Sequence, residues 1–154
     1  MVDLTIERSV HADALELASA MRQQDIDEVH ACGHTDLHAV VADGITRSAL
    51  CWTARVDGRM GCVFGVAPMS LLTSQRGAPW MLGTDEVPRH AALLMRRSPE
   101  YIAKMLDFCP VLVNTVHAKN TVSLRWLKRM GFEIGQRFVM NNEPFYLFGM
   151  TRHV

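Results

Sequence analysis

Residues 120–132, NTVSLRWLKRMGF, constrain the fold more than any other stretch of this chain. Asn120 stands where a helix would start. Its side-chain oxygen can accept an N–H two or three residues on, a cap that contributes about 1 kcal/mol. Leu124, Trp126 and Leu127 fall on one face of the following helix, and Lys119, Arg125, Lys128 and Arg129 lie on the other. Gly131 ends it, as glycine does past a helix C-terminus. Before it, Val111–His117 is an unbroken apolar strand, the pattern of a sheet centre. After it, Phe132–Val139 alternates as a strand. The unit is therefore strand, capped helix, glycine stop, strand.

The rest of the chain supplies the elements around this unit. Leu4–Ser9 alternates as a short strand. Asp13–Met21 has helical spacing, with Glu16 and Arg22 outside. Asp25–Ala31 adds a helical turn stopped by Gly33. Thr35-Asp36 caps a third helix whose buried stripe is Leu37, Val40, Val41 and Ile45. Ala49–Val56 and Met60–Ala67 read as strands joined by a turn at Asp57-Gly58. Pro68 and the polar run Thr73–Gly77 read as a loop, and Pro79–Leu82 as a short strand. Pro88–Arg97 and Pro99–Phe108 read as two helices, each opened by its proline, with Ser98 capping the second. Phe145–Met150 is the last strand. This order predicts one α/β domain over residues 1–154.

Composition narrows the function classes. Lys+Arg and Asp+Glu both total 16, so a neutral chain lacks the positive field that generic nucleic-acid binding needs. Weak charge repulsion favours self-association. No apolar run approaches the ~18 residues of a membrane span, and no leader precedes the first strand. Four cysteines, none in a C-x-x-C pair, predict small buried hydrophobes in a reducing compartment.

The 120–132 motif resembles the last helix of the GNAT superfamily of N-acetyltransferases, which reads N-x-x-A-x-x-L-Y-x-x-x-G-F. The resemblance implies a mixed central sheet of about six to seven strands, splayed near its middle and flanked by helices. Two further segments narrow it. Gly77-Ala78-Pro79-Trp80-Met81-Leu82-Gly83-Thr84-Asp85 and the ending from Asn114 to Phe132 are similar to the internal virion protein A family of short-tailed bacteriophages. That resemblance implies a virion or virion-assembly component made in the host cytoplasm and carried in the virion, with other virion proteins as partners.

Within the superfamily the implied cofactor is acetyl-CoA. Its pyrophosphate loop, Q/R-x-x-G-x-G/A, lies between the fourth strand and the next helix. Here that connection is Gly83-Thr84-Asp85-Glu86-Val87-Pro88-Arg89-His90, without a glycine pair and with two carboxylates. Leu127 stands where the superfamily has its tyrosine general acid, with Tyr146 or Cys109 as substitutes. Asp85 and Glu86 are the candidate bases, although both also suit the dipole of a helix start. Met81, Leu82, Gly83, Arg89, Asn114 and Asn120 are the candidate cofactor contacts. Asn114 has an equal alternative as a bridge across the splay, since a buried amide must be bonded. Three readings stay open: a scaffold with a degenerate site, an acetyl-CoA-dependent N-acetyltransferase, and an acyl-CoA-binding module without turnover. His30, His34 and His38 recur every four residues, but Gly33 and Thr35 should scatter them, so no metal site is expected.

Overall fold

The protein was described from a computed structural model that covers residues 1–70, 72 and 75–152. Thirteen elements follow one another. They are β1 (Leu4–Arg8), α1 (Ala12–Ala20), α2 (Gln23–Ala31), α3 (Leu37–Arg47), β2 (Leu50–Val56), β3 (Arg59–Pro68) and β4 (Arg76–Gly83). Then come α4 (Glu86–Arg89), α5 (Ala91–Phe108), β5 (Val111–His117), α6 (Thr121–Arg129), β6 (Glu133–Met140) and β7 (Glu143–Thr151). The strands form one sheet in the order β1-β2-β3-β4-β5-β7-β6. All neighbours are antiparallel except β4 and β5.

That parallel pair is short. Arg76 pairs with Val111 and Gly77 with Leu112, and there the ladder ends. Beyond Gly77, β4 stays paired to β3 as far as Gly83, while β5 stays paired to β7 as far as His117. The sheet therefore parts between β4 and β5. Asn114 sits just past the last rung. Its amide nitrogen donates to the Pro79 carbonyl at 2.9 Å, and its amide oxygen accepts from the Thr115 N–H at 2.8 Å. Asn114 thus bridges the splay, one of its two expected roles.

Two layers of helix cover the sheet. On one face α1, α2 and α3 bury Ala14, Leu17, Val29 and Val41 against Val63 and Leu82. On the other, α5 and α6 bury Tyr101, Met105, Leu94 and Trp126 against Leu112, Val116, Ala54 and Cys62. The expected turns form as read: Asp57 and Gly58 adopt φ 49° and 79°, and Asn120 caps α6 by accepting from the Ser123 N–H at 3.3 Å. Gly33, at φ 91°, ends the α2 region and separates His30 from His38.

Four local expectations need correction. Pro88 and Pro99 do not open two helices. Pro88 lies within the one-turn α4, and α5 runs unbroken through Pro99. The apolar stripe Leu94, Tyr101 and Met105 buries on both sides of Pro99, which outweighs the one intrahelical hydrogen bond a proline forfeits. Ser98 is therefore no cap; its hydroxyl donates to the Leu94 carbonyl at 2.8 Å. Asp25–Ala31 is not a lone turn but most of the nine-residue α2. Arg22, expected outside, is 2% exposed because Asp25 neutralises it. Finally, β4 starts at Arg76, since pairing with β3 and β5 on both sides overrides the polar loop signal. Thr73 and Ser74 of that loop lie outside the described residues.

Candidate active site at the splay of the sheet

The parting of β4 and β5 opens a cavity of about 410 Å³ that reaches both faces of the sheet. On the α2–α3 side its wall includes Glu28, Val29, Cys32, Val40 and Trp80. On the α5–α6 side it includes Leu94, Tyr101, Trp126, Leu127 and Met130. Met81, Leu82, Asn114 and Thr115 form the rim in the sheet itself. The walls are mostly apolar, with few polar groups, the usual character of a small-molecule site.

Backbone groups in the rim follow from strand alternation. In an antiparallel ladder, residues on one strand point their N–H and C=O alternately to one neighbour and to the other. The Pro79 carbonyl faces β5, because Asn114 bonds it. Gly83 also turns away from β3: its N–H donates to Asp25 at 2.8 Å and its carbonyl accepts from the Arg22 N–H at 2.9 Å. Met81 lies midway between them, so its N–H and C=O point into the splay. Pro79 has no N–H, and that of Gly83 is taken. The Met81 N–H is thus the donor that β4 offers to a ligand in the opening.

Glu28 enters from α2. One carboxylate oxygen accepts from the N–H of His117, at the end of β5. Burial raises the Glu28 pKa to about 7, against the opposing effect of that bond. A carboxylate that titrates near neutrality on the wall of a cavity is suited to take a proton. Sequence reading missed it. The available signal was charge at inward positions of α2: Arg22, Asp25 and Glu28 fall three apart beside the buried Val29.

The wide end of the splay is tied by a buried cluster. Arg22 donates to Asp25 at 2.8 Å and to the Ser123 hydroxyl at 3.0 Å. Asp25 holds the end of β4 through Gly83. Asn120, 1% exposed, accepts from Arg22 and donates to Asp25, both at 3.4 Å. One cluster thus links α2, β4 and α6.

The expected residues divide. Met81, Leu82 and Asn114 line the cavity; Gly83, Arg89, Asn120, Asp85 and Glu86 do not. Asp85 is exposed beside α4. Glu86 is gripped by two guanidinium groups and an imidazole: Arg59 at 3.2 Å, Arg89 at 3.3 Å and His90 at 3.2 Å. The Arg59 guanidinium above all holds its pKa below the usual carboxylate range, the wrong direction for a base near neutrality. Leu127 lines the cavity, so the position expected to carry an acid is apolar. Cys109 is no substitute. It is fully buried by Gly77, at the paired end of the β4–β5 junction, and burial pushes its thiol up. Tyr146 lies on β7, opposite Val116 and Arg137, outside the cavity wall.

The fold is that of the GNAT N-acetyltransferases. An acetyltransferase of the GNAT family from Streptococcus pneumoniae superposes with a TM-score of 0.63 at 15% identity, covering 97% of this chain and 99% of that one. Ribosomal-protein-alanine N-acetyltransferase from Brucella melitensis gives 0.71 at 14% identity, covering 96% and 99%. Aminoglycoside acetyltransferase AAC(6')-Ib in complex with coenzyme A gives 0.70 at 13% identity, covering 97% and 95%. No protein-family model matches the chain, and no curated protein matches it in sequence. None of these structures is a phage protein, so the virion family rests on the quoted motifs alone.

The thioester end of such a cofactor fits what the splay offers: an apolar passage and one backbone donor at Met81. The connection after β4 departs from the expected phosphate loop: it has no glycine pair, and Glu86 there already contacts Arg59, Arg89 and His90.

Proposed function

We propose that this protein is an N-acyltransferase that moves an acyl group from a thioester to a primary amine. The sheet-spanning cavity carries the reading, because it brings Glu28 and the Met81 N–H to one opening. The amine approaches from the α2 side and the thioester from the α5–α6 side.

The residues divide the chemistry. Glu28, ionised above about pH 7, takes one proton from the incoming ammonium and makes its lone pair available. The amine nitrogen attacks the thioester carbonyl carbon; a C–N bond forms and the C–S bond breaks. The bonding pair leaves with sulfur. The second proton, shed from nitrogen, ends on that sulfur, and the proton on Glu28 returns to solvent. The Met81 N–H stabilises charge that develops on the carbonyl oxygen, as a preorganised donor does.

The test is thiol release from acetyl-CoA in the presence of a panel of primary amines. Glu28→Gln should lower kcat/KM by at least ~100-fold. The wild-type rate should rise with pH and level off above about 7. Absence of thiol release, with no ligand bound at millimolar concentration, would refute the reading. It would favour the scaffold or virion-assembly role instead, for which the apolar Leu127 is the supporting observation.

A further inference from the structure

We infer that the acceptor is an aryl-alkyl amine without a carboxylate: a primary ammonium for Glu28, joined by a short chain to a flat apolar ring that lies against Trp80. The inference rests on the acyl-transfer reading above and names the substrate class of that site. Glu28, Val29, Cys32, Val40, Asp43 and Trp80 line the α2–α3 side of the cavity. Two carboxylates thus face the acceptor, and among the described residues no lysine or arginine lines this side. Arg47, one turn from Asp43, is outside the wall and already paired with Asp43 at 3.0 Å.

Trp80 supplies the apolar half. It belongs to the Gly77–Asp85 motif, and the acyl-transfer steps give it no task. Its Nε1 donates to the Ser48 hydroxyl at 2.7 Å, and that hydroxyl donates to the Gly44 carbonyl at 2.7 Å. The indole also rests on Gly44, where an added Cβ would stand 2.9 Å from the ring. The end of α3 therefore fixes the ring, and its one N–H is spent within the protein. What Trp80 offers a ligand is aromatic surface. Such a surface, held in place, favours a second ring beyond the area buried. A polyhydroxylated amine would leave hydroxyls unbonded against Val29, Val40 and the indole. An amino acid would bring its carboxylate beside Glu28 and Asp43, where like charges repel.

Initial rates above pH 7 with acetyl-CoA and three acceptors test this: phenethylamine, propylamine and phenylalanine. The kcat/KM for phenethylamine should exceed that for propylamine by about tenfold and that for phenylalanine by at least ~100-fold. Trp80→Leu should cut the phenethylamine-to-propylamine ratio by about tenfold. Gly44→Ala displaces the ring without removing it and should lower the same ratio, so the test survives if Trp80→Leu fails to fold. An unchanged ratio in either folded variant, or phenylalanine turnover equal to that of phenethylamine, would overturn the inference and leave acyl transfer intact. Calorimetry with phenethylamine separates the two readings where no thiol is released. Binding that weakens in Trp80→Leu would keep the acceptor class and count against acyl transfer from acetyl-CoA. No binding at millimolar concentration would refute both.

Discussion

Glu28 ties rate and stability to the same proton. The folded protein keeps that proton up to about pH 7, whereas an unfolded carboxyl releases it near its ordinary value of 4.5. Between those values the folded state binds more protons, so this group's contribution to stability falls as pH rises through the window. Above about pH 7 the protein carries the full cost of an ionised, shielded Glu28. Glu28→Gln removes that cost. It should match wild type in stability at pH 4 and exceed it at pH 8 by up to about 3 kcal/mol, read by urea denaturation at the two pH values. Equal differences at both would contradict the shift. The variant that loses activity should thus be the more stable one, a trade expected of a functional residue. Glu28 also shows why a site can escape sequence reading. Its chemistry depends on the His117 N–H, 89 positions away, and on burial by elements that no local pattern connects.

At the scale of elements, legibility followed the strength of local signals. The helix from Asn120 to Gly131 could be read because its cap, apolar face and stop all agree. The α5 region could not, because Pro99 sends a local signal that tertiary burial overrides. This difference has a measurable outcome. If Pro99 opened a helix, Pro99→Ala would be neutral or destabilising. Within the continuous α5 it restores the bond to the Met95 carbonyl and should stabilise by about 1–3 kcal/mol. The connection after β4 was harder to read for a related reason: its residue types were plain, but the partners of Glu86 were not visible. The link between α2, β4 and α6 gives a second test. Asp25→Ala leaves the 2%-exposed Arg22 without its counter-ion and should destabilise by about 3–5 kcal/mol in thermal or chemical unfolding.

For the molecule as a whole, the splay makes the sheet a partition with one opening. Under the proposed acyl transfer, amine and thioester reach it from opposite faces and react directly, so both must be bound before transfer. Initial-rate plots should intersect, as in a sequential mechanism; parallel lines, the mark of an acyl-enzyme, would contradict this. The cysteines on the cavity wall agree. Burial pushes the Cys62 thiol up to about 12 and raises that of Cys32, so neither is a ready thiolate at neutral pH.

The unpaired Met81 N–H has one more consequence. A mid-strand amide normally exchanges its hydrogen only when the strand opens, because a ladder bond protects it. Among the described residues Met81 has no such bond on the cavity side, since the β4–β5 ladder ends at Gly77, and the cavity is wide enough to hold water. Its amide should exchange like one in a loop, between slowly exchanging neighbours at Trp80 and Leu82. A thioester carbonyl seated on it should slow that exchange, which would report occupancy of the opening one residue at a time, without any turnover.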